Sequence, residues 1–312
     1  MELKPSENKK LHGMAHYFNE ITNLYNKKRM PTKILLSGKK GLGKSTLSYH
    51  IINYILSTDE DFKYDSNNFI INENNRSFKL QLNNSHPNFY LIDLLNDKKN
   101  IDIAQIRGMI TYTNKSTFNN MPRFILIDNI ENLNKNSVNA LLKVIEEPNE
   151  NIFFILINNS EKKILPTLRS RCLTFKIHFS FTESLSVSNK ILDQNVLNLI
   201  NLDLINYYNT PGEIISLINF AKEKNINLKD YTLINFLNLL IDSGYYKKNK
   251  IVKILLINSI ELFFLKKYKL SGYKDVILNF YQNFINKIHN TEKFNLDEES
   301  LFLEFQTKLL NG

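Results

Sequence analysis

Up to about residue 178 apolar residues gather in short dense runs; beyond it they recur in long series spaced three and four apart. The runs Lys33 to Ser37, Phe89 to Asp93, Phe124 to Ile127, Ile152 to Ile157 and Leu173 to Ile177 have the length and composition of buried strands. Helical spacing fills the gaps between them. A helix is expected from about Thr46 to Leu56, and Ile103, Ile106 and Ile110 mark a second. Val138, Leu141, Leu142 and Ile145 follow the i, i+3, i+4, i+7 rule of an amphipathic helix, with Pro148 just past its end. Strands alternating with helices predict a parallel five-stranded α/β sheet covered on both faces. The asparagine-rich stretch from Ser57 to Asn84 is expected to be an insertion or long loop with little core of its own. After Phe179 strand signals fade, which predicts a small helical domain over 179–226 and an all-α domain over 227–312, behind the α/β domain of 1–178.

Composition narrows the class without naming a chemistry. With 43% hydrophobic and 23% charged residues the chain is globular, and 312 residues allow two or three domains. The net charge of +9 permits contact with nucleic acid, but charge alone points to a lysine-rich solvated surface. Cys172 is the single cysteine, so neither an internal disulfide nor a four-cysteine zinc site can form. With a polar start at Met1 to Lys10 and no apolar membrane-length stretch, the expectation is a cytoplasmic protein.

One segment carries specific chemistry. Gly38-Lys39-Lys40-Gly41-Leu42-Gly43-Lys44-Ser45 fits the phosphate-loop pattern G-x-x-x-x-G-K-[ST], and three of the chain's nine glycines lie in these eight residues. Such a loop turns its backbone N–H groups toward phosphate, ahead of a helix whose positive end faces the same anion. Gly38, Gly41, Gly43, Lys44, Ser45 and Thr46 are therefore the expected ATP-binding residues, with Lys44 toward the β and γ phosphates. The Ser45 hydroxyl would meet Mg2+, together with Asp128 at the end of the apolar run Phe124 to Ile127.

The order of further segments resembles the AAA+ clamp-loader family of bacterial DNA polymerase III. Ser137 to Pro148 contains A-L-L-K-x-x-E-E-P, Phe153 to Leu156 matches the strand before sensor 1, and Ser170-Arg171-Cys172 is the S-R-C motif. Ser85 to Tyr90 is similar to the H-P-D segment of the delta-prime and gamma members, and Asp102 to Arg107 to the helix after it. The resemblance is clear over 33–178, weaker over 11–32 and 179–226, and topological beyond. It implies that 179–226 is a lid and 227–312 an oligomerisation collar. It implies that Arg171 is an arginine finger acting in trans on ATP held by a neighbouring subunit. It implies that Asn158 or Asn159 is the sensor-1 amide. The implied partners are other clamp-loader subunits, gamma/tau-like and delta-like, and through them the sliding clamp and primed DNA.

Three departures refine this expectation. The four zinc-binding cysteines of gamma-type and many delta-prime members are absent from 57–84, so no zinc site of that kind can form there. Asn129 stands where active members carry a glutamate after the strand-end aspartate, and an amide cannot take a proton as a general base. Glu213, in Asn209-Thr210-Pro211-Gly212-Glu213, stands where the family has its sensor-2 arginine, which would remove a phosphate contact. The two catalytic departures, Asn129 and Glu213, resemble delta-prime-type members, at most weak ATPases that keep the trans arginine. The alternatives are a gamma/tau-like subunit or helicase loader that hydrolyses ATP itself, or a P-loop regulator outside replication.

Overall fold

The computed structural model describes residues 4–95, 98–115, 119–146, 149–159, 164–294 and 296–310, apart from the side chains of 292 and 309. Glu147 and Pro148 of the helix-end motif lie outside the described residues. The chain divides into two compact units, Met1–Val187 and Ser188–Gly312.

The first unit is built on five parallel strands in the order β2-β3-β4-β1-β5: β1 (Lys33–Ser37), β2 (Phe89–Ile92), β3 (Arg123–Ile127), β4 (Ile152–Asn158) and β5 (Leu173–Lys176). The expected fold class, a parallel five-stranded P-loop domain followed by helices, is borne out. All of β3 is buried because both faces of the sheet are covered. Phe124 and Leu126 join a core on one face with Leu47, Ile51 and Ile55 of α2 (Lys44–Leu56) and Phe18 and Ile21 of α1 (Ala15–Asn26). Ile125 and Ile127 join the opposite core with Ile106 and Met109 of α4 (Ile103–Thr113) and Leu141 and Ile145 of α5 (Lys135–Glu146). The side-chain period of two thus divides one apolar run between two cores.

The segment 57–84 differs from expectation. It contains α3 (Arg76–Leu82), and it buries Tyr64, Ile71 and Phe78 in the α1–α2 core. Two of its polar residues, Asn75 and Glu60, bind the start of α3. Asn75 accepts from Phe78 N at 2.7 Å and from Asn53 Nδ2 at 3.0 Å, and Glu60 accepts from the backbone N–H groups of Arg76 and Ser77 at 2.7 and 2.9 Å. These bonds cap α3 and satisfy amides that would otherwise be costly to bury.

Two helices, α4 and α5, pack together over this opposite core. α4 (Ile103–Thr113) starts on a capping box in which Asp102 accepts from Ala104 N and Gln105 N. The buried Arg123 closes its other end, donating to the carbonyls of Tyr112, Thr113 and Lys115 at 3.0–3.1 Å. α5 (Lys135–Glu146) buries Val138, Leu141 and Ile145, as its spacing predicts. The short α6 (Pro166–Arg169) follows, with proline in its first turn. α7 (Phe181–Leu192) runs across the division between the units.

The second unit holds α8 (Pro211–Lys224), α9 (Leu233–Asp242), α10 (Lys250–Leu270), α11 (Asp275–Phe294) and α12 (Glu298–Phe305). α8 packs on α10, and the Phe220 ring lies 6.3 Å from that of Phe236 in α9. Its packing therefore runs on through residue 226. Glu213, expected beside a phosphate, is the N3 residue of the α8 capping box: its carboxylate accepts from Thr210 N at 2.9 Å while Thr210 Oγ1 accepts from Glu213 N. Among the described residues no helix is long and apolar enough to cross a membrane.

Candidate functional site

The phosphate loop joins β1 to α2, and two glycines show why it needs this composition. A Cβ on Gly38 would sit 2.2 Å from the Ile177 carbonyl oxygen, so no side chain fits. Gly43, the residue before α2, has φ +87°, a left-handed conformation that disfavours side chains; Gly41, with φ +84°, shares it. The loop therefore bends into the first turn of α2, where the uncompensated N–H groups of a helix start favour an anion. Lys44 is buried there, its ammonium donating to the carbonyls of Gly38 at 2.9 Å and Lys39 at 2.7 Å. A loop that can hold a buried ammonium on carbonyl oxygens can turn the same charge toward phosphate.

The neighbouring strand ends complete the arrangement. Ser45 Oγ donates to Asp128 Oδ2 across 83 residues of chain, directly past the end of β3. A hydroxyl and a carboxylate in contact beside a phosphate loop are a donor set that suits Mg2+, an ion of oxygen ligands. Thr46 Oγ1 accepts from Asn8 Nδ2 at 3.4 Å, which ties the N-terminal segment to the start of α2.

Asn129 has φ 56° and ψ 44°, the left-handed region that asparagine tolerates better than most residues. Its amide bridges two strand ends: Nδ2 donates to Asp93 Oδ1 at 2.6 Å, and Oδ1 accepts from Asn159 Nδ2 at 2.8 Å. Asn159 N donates to Glu131 Oε2 at 3.3 Å. Asn158 faces the other way, its Nδ2 3.5 Å from Ser37 Oγ and its carbonyl accepting from Gly38 N at 3.2 Å. The two expected sensor-1 amides thus flank the site, Asn158 at the loop entrance and Asn159 at the β3 end.

Asp93 joins these strand ends through Asn129, although in the sequence it stands only as the last residue of an apolar run. Its carboxyl is held above the usual carboxylate range, first by burial and then by the charge of Asp128, against the opposing pull of Asn129, Leu94 N and Lys40. The signal was present, since Asp93 follows an apolar strand as Asp128 does. Tyr49 of α2 faces the same group; burial and then Asp128 and Asp93 raise its phenol.

Arg171 lies outside this group of strand ends. It follows α6 and donates to Glu146 Oε1 at 2.6 Å and to the Thr167 carbonyl at 2.8 Å. Cys172 beside it is half-buried, and burial pushes its thiol up to about 11, which disfavours the reactive thiolate.

A family model described as DNA polymerase III, delta subunit, matches residues 13–180 of this chain. The chain belongs to that family. Within it the chain is delta-prime-like, in the delta-prime and gamma group of clamp-loader subunits. It is 28% identical over 292 residues to DNA polymerase III subunit delta' of Buchnera aphidicola subsp. Schizaphis graminum, spanning 87% of this chain and 84% of that one. It is 30% identical over 243 residues to the gamma subunit of the same organism, spanning 73% of this chain and 63% of that one. A solved gamma-subunit-related protein of Thermotoga maritima superposes with a TM-score of 0.49 at 14% identity, covering 92% of this chain and 97% of that one.

Proposed function

We propose that this delta-prime-like subunit binds Mg-ATP and lends Arg171 in trans to an ATPase subunit beside it during loading of the sliding clamp on primed DNA. Gly38, Gly41, Gly43, Lys44, Ser45 and Thr46 would hold the phosphates. Ser45 and Asp128 would meet the metal, with Asn158 and Asn159 as polar lining. The observation that carries the nucleotide reading is the contact of Ser45 with Asp128 beside the buried Lys44. Bound at this loop, the nucleotide would supply the charge that orders it; Lys44 and the N–H groups at the start of α2 would neutralise that charge.

The chain's own turnover is low in this reading, because Asn129 offers an amide where a carboxylate would accept a proton. Its contribution is the guanidinium of Arg171, which suits charge developing on a transferred phosphoryl group. The partners are gamma/tau-like and delta-like subunits, with the clamp and DNA reached through the assembly, in the cytoplasm. A second reading, a gamma/tau-like subunit that hydrolyses ATP itself, is favoured by one observation: the raised carboxyl of Asp93 beside Asn129.

The test compares the purified chain with the assembled complex. Lys44→Ala should weaken binding of fluorescent ATP at least tenfold, on the order expected for losing a charged phosphate contact. Arg171→Ala should leave that binding unchanged and lower clamp-dependent ATP turnover of a fully assembled complex. Normal loading by an assembled Arg171→Ala complex would make Arg171 a structural residue. Turnover by the isolated chain at about 1 s⁻¹ or faster, an ordinary enzyme rate, would favour the second reading.

A further inference from the structure

Two segments that suggested the clamp-loader resemblance, 25 residues apart in the chain, touch in the fold: Glu146 of the E-E-P segment and Arg171 of S-R-C form an ion pair at 2.6 Å. Both ends of this contact stand on packed elements. Glu146 is the last residue of α5, which is anchored by the buried Leu141 and Ile145. The second acceptor of Arg171, the Thr167 carbonyl, belongs to α6, which is anchored by the buried Leu168. The backbone that carries Arg171 is also tied down, with Arg171 N and Cys172 N bonded to the carbonyls of Leu168 and Arg169 at 3.3 Å.

An arginine has many rotamers, and a guanidinium that must meet a phosphate in one geometry works best when most of them are removed beforehand. Of the five N–H groups of Arg171, two are held by Glu146 and Thr167, which fixes the plane of the fork. Both partners are partly exposed, 36% for Arg171 and 50% for Glu146, so the pair contributes little to folding. Its effect is to be sought in orientation.

We propose that Glu146 is a positioning residue for Arg171, clamping the guanidinium so that the fork is presented in one orientation to nucleotide held by a neighbouring subunit. The inference rests on the reading of Arg171 as an arginine that acts in trans.

The experiment uses the full chain assembled with a gamma-type ATPase subunit, a delta-type subunit, the clamp and primed DNA. ATP turnover is measured for wild type, Glu146→Ala, Glu146→Gln, Arg171→Ala and the double variant, with assembly checked by gel filtration. Glu146→Ala should lower kcat roughly three- to tenfold, as for a misplaced catalytic group, with the KM for ATP unchanged. Glu146→Gln keeps an acceptor oxygen and should fall between wild type and alanine. In the Arg171→Ala background, Glu146→Ala should have no further effect. A wild-type kcat for Glu146→Ala beside an impaired Arg171→Ala overturns the positioning role alone. An equal loss in both backgrounds, or failure of Glu146→Ala to assemble, makes Glu146 a structural residue and overturns it too. A wild-type kcat for Arg171→Ala overturns the trans reading and this inference with it.

Discussion

At the scale of single residues, Asn129 shows how a site can keep its form while changing its chemistry. It stands where a catalytic glutamate was expected, yet both ends of its amide are used, by Asp93 and by Asn159. Aspartate at this position would keep the acceptor and tolerate the left-handed backbone, but it would set a second carboxylate against Asp93. Asn129→Asp should therefore destabilise the chain at pH 7 by about 1–3 kcal/mol, the cost of a lost donor and a like-charge contact. The sign of the pH dependence follows from Asp93. Its folded-state carboxyl is already raised and would rise further beside a second carboxylate. The folded variant then takes up a proton before the unfolded chain does, and its deficit against wild type narrows as pH falls toward 5. Thermal melts of variant and wild type at pH 7 and pH 5 check this; an equal deficit at both would show that the two carboxylates do not face each other. The loop formed by Gly38, Lys44 and Ser45 was legible because its pattern is local, and the place of Asp128 was legible from the apolar run before it. The bridge from Asp93 through Asn129 to Asn159 was not, because it joins residues 36 and 30 positions apart and depends on the parallel register of β2, β3 and β4.

At the scale of elements, α2 is more than the stem of the phosphate loop. It is buried on nearly every side, and its polar residues need partners inside the protein. His50 finds two. Nε2 lies 2.9 Å from the Asn8 carbonyl, which can only accept, so Nε2 carries the proton; Nδ1 then accepts from the Tyr64 hydroxyl at 2.8 Å. Protonating Nδ1 would oppose that hydroxyl donor in a buried site. Burial, with a smaller push from His12 and against the Asn8 bond, lowers the imidazole to about 4. The unfolded chain thus takes up this proton first as pH falls. Stability is complete above about 6.5 and is lost as pH falls from there to about 4, by up to about 3 kcal/mol. His86, also lowered to about 4 by burial, acts in the same window. Urea melts between pH 7 and pH 4 should show the loss, and His50→Gln should flatten part of it; an unchanged pH profile in the variant would exclude His50 as the source. The strands and the amphipathic α5 were legible from periodicity alone. The segment 57–84 was not, because its asparagines suggested solvent, whereas Asn75 and Glu60 turn inward to cap α3 and Tyr64 reaches His50.

At the scale of the whole molecule, the placement of a truncation decides what folds. The expected boundary at 226 falls inside the second compact unit, which begins at Ser188. A chain ending at 226 would keep α8 and lose α9 and α10, the helices it packs with. Ile214, Ile218 and Phe220 of α8 are almost fully buried, and the Phe220 ring meets those of Phe236 and Tyr245 at 6.3 and 6.1 Å. Exposing each such side chain costs about 1.5–3 kcal/mol, and the capping box at Thr210 and Glu213, worth about 1 kcal/mol for its cap, cannot offset that. A chain ending at 192 keeps α7 whole and retains the sheet with both of its cores, since every residue of those cores lies before 180. The 1–192 fragment should therefore melt cooperatively and bind fluorescent ATP with the affinity of the full chain. The 1–226 fragment should bind a hydrophobic dye and aggregate at concentrations where 1–192 stays monomeric. Neither fragment should join a complex if the collar reading of 227–312 holds. Cooperative melting of 1–226 without dye binding would mean that α8 is stable apart from α9 and α10, and that residue 226 marks a true domain boundary.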